Sequence, residues 1–262
     1  VNRQAQAAVL FLLGGALLHA GSTDLYLRYV KSGLRPMLLA SGAVLIVAAL
    51  ATAWYERKRA KAAGDRARPH AETPGSARDG APRHDGTTEQ AHAHPEPRVS
   101  WLLLLPLLAL ILIAPPALGS YSALRTGTAL QKPYAYAALP AGDPVPLSVV
   151  DYASRAAYDH GRSLHGRPVR VTGFLALDHS GAPYLVRMAL NCCAADAQPV
   201  KIALTGELPP VLRPDAWLEV TGTYTPRLAH DPVNNGPVPY LRVTAARPVP
   251  VPRDPYDETW NT

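Results

Sequence analysis

The stretch that decides the fold is Pro168, Val169, Arg170, Val171, Thr172, Gly173, Phe174 and Leu175. Val169 and Val171 alternate with Arg170 and Thr172, the period of a strand with one buried face. A turn-rich run follows, Asp178, His179, Ser180 and Gly181. Tyr184, Val186 and Met188 then alternate with Leu185 and Arg187, so the two segments read as a hairpin. Further apolar pairs at Ile202 and Leu204, Leu218 and Val220, and Leu241 and Val243 bring the count to five short strands. Gly173 and Gly222 sit inside the first and fourth, where a side-chain-free residue permits a sharp strand bend. Five bent strands in so short a segment predict a small OB-like β-barrel over residues 145–254.

One helix is expected before the barrel. Leu147, Val150, Tyr152, Ala153, Ala156 and Ala157 recur at roughly helical spacing, with Ser148 placed as N-cap and Gly161 as the stop.

Upstream the composition changes to oil. Residues 5–18 are apolar or small apart from Gln6, and the stretch continues past His19, Ser22 and Asp24 to Leu27. Residues 37–54 and 101–118 contain no charged side chain. Each run meets the spanning criterion, so a membrane α-helical region of two to three transmembrane helices is expected, two within 1–55 and a third within 99–121. Pro106, Pro115 and Pro116 make the third irregular. Ionisable groups at membrane depth are costly and mark contacts or water paths, which singles out His19 and Asp24. The plainer reading puts both at the interface, within reach of water.

Residues 56–98 mix Arg, Ala, Gly, Pro, Asp and His, a composition that cannot bury enough surface to offset its ordering entropy. They read as a disordered linker, in which His70, His84, His92 and His94 offer weak metal capture at most. Arg57, Lys58, Arg59, Lys61, Arg66 and Arg68 outnumber Arg28, Lys31 and Arg35 in the loop before the second run. The linker is therefore placed in the cytoplasm. With three spans, a connector over 122–144, the barrel and a tail over 255–262 lie outside the cell membrane of a multi-pass protein.

Charge excludes one class of partner. Residues 1–55, 56–98 and 99–262 carry 4, 9 and 13 basic against 1, 7 and 12 acidic side chains, so the net +6 is not concentrated on the folded domain. A nucleic-acid module would concentrate it there. The expected surroundings are the lipid bilayer and no nucleic acid.

The run Asn191, Cys192, Cys193, Ala194, Ala195, Asp196 carries the chemistry. These are the only two cysteines, and adjacent cysteines cannot close a normal disulfide on each other. Three readings stay open. They are small buried hydrophobes, soft-metal ligands with Asp196 or a histidine such as His165 or His179 completing the set, or a catalytic thiol with a nearby base. The residues name no cofactor outright; zinc or another soft metal is the class they admit.

With these residues in hand, the chain resembles a bacterial family, the YcgQ-like permease subunits that carry a DUF1980 domain. The resemblance rests on Leu18, His19, Ala20 and Gly21 continuing to Tyr29, Val30 and Met37. It rests further on Gly166 through Phe174, on the Cys192 to Asp196 run, on Trp217 with Val220 to Gly222, and on Pro255 and Tyr256. It implies a non-enzymatic membrane subunit working beside a larger multi-span permease, in a setting of zinc handling that favours a metal role for Cys192 and Cys193, with Asp196 the carboxylate that the residue pattern adds. A stand-alone membrane-tethered metal or thiol binder is the alternative.

Overall fold

A computed structural model of the chain describes residues 3–66 and 116–257, with isolated positions between 102 and 113. The chain divides into two compact units, residues 1–19 with 38–114 and residues 20–37 with 115–262.

The first unit is built on two helices, α1 (Arg3–Ser22) and α2 (Arg35–Arg66). They approach backbone to backbone at two glycines. A β-carbon on Gly14 would lie 2.9 Å from the carbonyl oxygen of Gly42, and one on Gly42 would lie 2.9 Å from the Leu18 side chain. Small residues permit this close packing where no hydrophobic effect drives helices together. Phe11, Val44, Val47 and Leu50 point outward instead of into a core. Only 17% and 11% of the two apolar windows are buried, whereas a core helix of a water-soluble domain would be mostly covered. Both helices are thus long and apolar enough to cross a membrane. At the end of the apolar part of α2, Lys58 sits over the Trp54 ring and Arg59 over the Tyr55 ring, at 3.9 and 5.1 Å. An aromatic and basic girdle of this kind suits a water–lipid boundary.

The helix does not end there. The linker expected from residue 56 begins inside α2, which runs on to Arg66, because Glu, Lys, Arg and Ala are strong helix formers and propagate a helix already nucleated. The remainder of that linker, with its four histidines, lies outside the described residues.

The second unit contains a closed five-stranded barrel. Its strands are β2 (Val169–Leu177), β3 (Pro183–Ala189), β4 (Gln198–Gly206), β5 (Trp217–His230) and β6 (Pro237–Pro248). They close in the order β2-β5-β6-β4-β3, with β3 pairing back onto β2 and with β4 and β6 parallel. Two short strands attach in parallel outside the ring, β1 (Val145–Leu147) on β2 and β7 (Tyr256–Asp257) on β3. The expected OB-like topology is therefore present. At Gly222 the register between β5 and β6 shifts, and a β-carbon would meet the Arg242 carbonyl. At Gly173 a β-carbon would lie 2.7 Å from the Val186 carbonyl oxygen. Both bends thus require glycine, as the sequence suggests.

Two further helices belong to this unit, α3 (Ser120–Arg125) and α4 (Val149–Tyr158). The second is the helix expected before the barrel. Ser148 caps it by accepting the Asp151 amide at 3.0 Å, and Gly161 stops it in the left-handed conformation at φ +71°. Its Val149, Tyr152, Ala153 and Ala156 join Val169, Val171, Leu185, Ile202, Val220 and Leu241 in the inner core.

The barrel also has an apolar outside. Phe174, Val186, Met188 and Trp217 form a second cluster with Ala123 of α3 and Tyr256 of β7, and Ala117 and Leu118 pack against it. The alternation in β3 thus separates two buried faces, with Leu185 inside and Val186 and Met188 outside. Two sequence boundaries are corrected here. The span expected to run to 121 does not do so as one helix: residues 116–119 are not helical, and Ala117 and Leu118 pack against this cluster. The third run otherwise lies outside the described residues. The tail assigned from 255 contributes β7, since Tyr256 fills the same cluster.

The same strap continues over β4. Lys201 points away from the inner core yet is only 3% exposed, because residues 126–130 lie over it. Its ammonium donates to the Thr126 carbonyl at 2.9 Å and pairs with Asp231 at 2.6 Å. Asp231 accepts the Thr128 amide at 3.1 Å and the Val233 amide at 2.9 Å. Removing one member of such a pair leaves a buried charge without a counterion. Asp231→Ala is expected to lower unfolding stability by about 3–5 kcal/mol, measured by denaturant titration of the full chain in detergent; a loss near zero would show that the strap does not seal Lys201.

Candidate functional site

Between β3 and β4 the chain must reverse over residues 190–197, and it does so around one carboxylate. Asp196 closes a short 3-10 turn, Ala194–Asp196. Its oxygens accept the Asn191 amide at 3.1 Å and the Cys192 amide at 2.9 Å. Burial alone would raise its pKa, but hydrogen bonds from the Cys192 thiol and from the Cys192, Asn191 and Cys193 amides outweigh burial and hold it below the usual carboxylate value.

This arrangement gathers the three residues that the sequence singles out. A sulfur of Cys192, a sulfur of Cys193 and a carboxylate oxygen of Asp196 all lie within 4.8 Å of one another. Cys192 is exposed, Cys193 is partly covered, and both are free thiols. Neither is a buried core hydrophobe. His165 and His179 are not members of the cluster; His165 follows the Arg162–Leu164 turn and His179 sits in the β2–β3 hairpin.

The donor set fits a thiophilic metal. Sulfurs on a tetrahedral zinc at Zn–S distances of about 2.3 Å stand roughly 3.8 Å apart, which lies inside the 4.8 Å that bounds the cluster. Asp196 has lone pairs left after accepting its amides, since a carboxylate offers about four acceptor positions. Three ligands leave one position open.

The electrostatics are those of a protonated thiol. Hydrogen bonding to Asp196, then to Cys193, pushes the Cys192 thiol up to about 11. An activated nucleophile needs the opposite shift.

Sequence reasoning missed what the loop is attached to. Ala194 donates its amide to the Tyr29 carbonyl at 2.7 Å, Lys31 donates to the Cys192 carbonyl at 3.1 Å, and Val30 and Cys193 form an antiparallel bridge. Residues 29–31 belong to the loop that joins α1 to α2. Tyr256 adds to the attachment, donating its hydroxyl to the Arg28 carbonyl at 3.0 Å while accepting the Leu118 amide at 3.3 Å. Tyr26 and Leu27 of the same loop are buried. Asp24, one of the two polar residues weighed for the first span, begins a 3-10 turn after α1 and pairs with Arg253 at 2.6 Å. Its side chain is half-exposed. His19 lies in the last turn of α1. No local pattern announces the attachment, since its partners are far apart in sequence.

Residues 151–257 match the DUF1980 C-terminal domain. The match opens within α4 and closes with β7, so it contains the whole barrel and the Cys-Cys loop and leaves out α1 and α2. No curated protein and no solved structure matches the chain.

Alkylation reads the thiol environment directly. Because the thiolate is the reacting species, a pKa moved from the ordinary 9 to about 11 suppresses labelling of Cys192 at pH 8. Asp196→Asn removes the negative acceptor, lowering the pKa and raising the thiolate fraction. Part of the gain is offset by the lower nucleophilicity of a less basic thiolate, so Cys192 is expected to label about tenfold faster. Unchanged or slower labelling in the variant would show that Asp196 does not hold the thiol proton.

Proposed function

We propose that the chain is a non-enzymatic accessory subunit anchored in the cell membrane by α1 and α2. In this reading it works beside a larger multi-span permease, and its extracytoplasmic barrel holds a soft metal ion, zinc above all, through Cys192, Cys193 and Asp196. The bound ion would supply a thiolate-coordinated centre with an exchangeable position; the chain's own residues do the rest. Asp196 orients the loop through its amides, and the two thiols converge on one point.

The observation that carries this reading is the hydrogen-bonded join between residues 192–194 and 29–31. If α1 and α2 both cross, their connecting loop emerges on one side while Arg57, Lys58, Arg59, Lys61 and Arg66 stay on the other. The basic side is the cytoplasm. A barrel joined to the connecting loop then stands outside, and the chain must cross once more between 67 and 115, where the charge-free run from Trp101 lies. Orientation, the third span and the placement of the thiols thus support one another.

Two alternatives lose support from the same geometry. OB barrels take up oligonucleotides on the face of their second and third strands, here β3 and β4; that face is sealed by 116–130 and by the Lys201–Asp231 pair. The raised Cys192 pKa speaks against an activated thiol. The stand-alone metal binder remains a second reading, favoured by the ready-formed sulfur and carboxylate cluster. Copurification separates the two: an accessory subunit brings a multi-span protein with it from mild detergent, whereas a stand-alone binder does not.

Two measurements test the proposal. A lone cysteine placed at exposed Glu207 in a Cys192→Ser/Cys193→Ser background is expected to react with a membrane-impermeant maleimide in intact cells; reaction only after permeabilisation would reverse the orientation. The wild-type chain, purified and equilibrated with zinc, is expected to retain about one ion per molecule, and the double serine variant almost none. Equal retention would remove these ligands.

A further inference from the structure

The metal loop and the interhelical loop share main-chain hydrogen bonds, and this has a thermodynamic consequence. Cys192 presents its carbonyl to Lys31, Ala194 presents its amide to Tyr29, and Cys193 between them is the bridge partner of Val30. Two of the three residues that would ligate the ion, Cys192 and Cys193, therefore have backbones that already hold the segment leading into α2. From Lys31 the chain passes through the short turn Ser32–Leu34 to Arg35, where α2 begins, and Arg35 Nε donates back to the Gly21 carbonyl at 2.9 Å. The interhelical loop is thus tied in its middle to the metal loop at 29–31 and closed across its ends by the Arg35–Gly21 bond.

We propose that zinc at Cys192, Cys193 and Asp196 is sensed by residues 29–35, so that occupancy of the site and firmness of the join reinforce each other. The inference rests on the metal reading above and adds to it a direction of coupling. An ion bridging three side chains fixes residues 191–196 in one conformation. The entropy otherwise lost when that segment also holds 29–31 has then already been spent, so the join tightens. Linkage is reciprocal: whatever loosens the join must weaken zinc by the same factor. Cys193, whose sulfur would be one of the ligands, sits between the two backbone bonds of the join, so the same residue serves both the ion and the loop.

Lys31 permits a clean test because its backbone sits at φ −60° and ψ 143°, angles that proline adopts without strain. Lys31→Pro deletes one hydrogen-bond donor and the charge; Lys31→Ala deletes the charge and keeps the donor. The full chain in detergent is titrated with zinc against a chromophoric chelator, and hydrogen exchange is followed at residues 29–35, which include no ligand. Wild type and Lys31→Ala are expected to bind zinc alike, with exchange at 29–35 slowed by the ion. Lys31→Pro is expected to bind about tenfold more weakly, within the usual range of coupling between sites. If Lys31→Pro binds as tightly as Lys31→Ala and zinc leaves exchange at 29–35 unchanged, the coupling is overturned while the metal reading stands. If the wild-type chain takes up no zinc, the metal reading and the coupling fall together.

Discussion

The hydrogen-bonded join between residues 29–31 and 192–194 is the constraint on which the rest depends. Its two well-placed backbone bonds contribute about 0.5–1.5 kcal/mol each, too little alone to hold two segments so distant in sequence. The Asp24–Arg253 pair adds little, being half-exposed and screened by solvent. Burial supplies the remainder. Tyr26, Leu27 and Tyr256 are all buried, and the Tyr256 hydroxyl reaches both Arg28 and Leu118. One aromatic residue from the last strand thus fastens the interhelical loop and the strap to the barrel.

A second constraint is the barrel's own exterior. Five strands enclose an inner core, but β2, β3 and β4 also carry apolar or ionic groups on their outer face. Phe174, Val186 and Met188 would be exposed oil without α3 and residues 117–118, and Lys201 would lack its counterion and its carbonyl without Asp231 and Thr126. The chain therefore uses its own connector where other OB-like barrels leave a binding face. Chemistry is displaced to the β3–β4 loop, where Asp196 gathers amides and thiols from the residues just before it.

The legible parts of the sequence are the local ones. The Ser148 cap, the Gly161 stop and the valine alternation in β2 depend on neighbours within one element, and all are found in place. The cluster of Cys192, Cys193 and Asp196 was legible for the same reason, since its spacing is that of a single turn. Illegible features depend on partners far away. Lys201 lies beside the apolar Ile202 in a strand pattern that does not announce its burial, Leu118 reads as the end of a membrane run, and Tyr256 as part of a tail; long-range contacts bury Lys201 and Tyr256 and partly cover Leu118. Histidine ligands fared differently, because a residue type suited to zinc says nothing about distance. His165 and His179 are held by turns of their own, outside the cluster.

The central claim, that the Cys-Cys loop is joined to the loop between the two apolar helices, is tested most directly by a disulfide. Val30 and Cys193 face each other across an antiparallel bridge, a placement whose Cα separation falls within the range that a disulfide spans. The full chain carrying Val30→Cys and Cys192→Ser has only two thiols, the introduced one and that of Cys193. The account predicts that mild oxidation closes an intramolecular disulfide between position 30 and Cys193 in nearly every molecule, detected as a cross-linked peptide by mass spectrometry. Two free thiols persisting under the same oxidation, with the chain still folded, would contradict it.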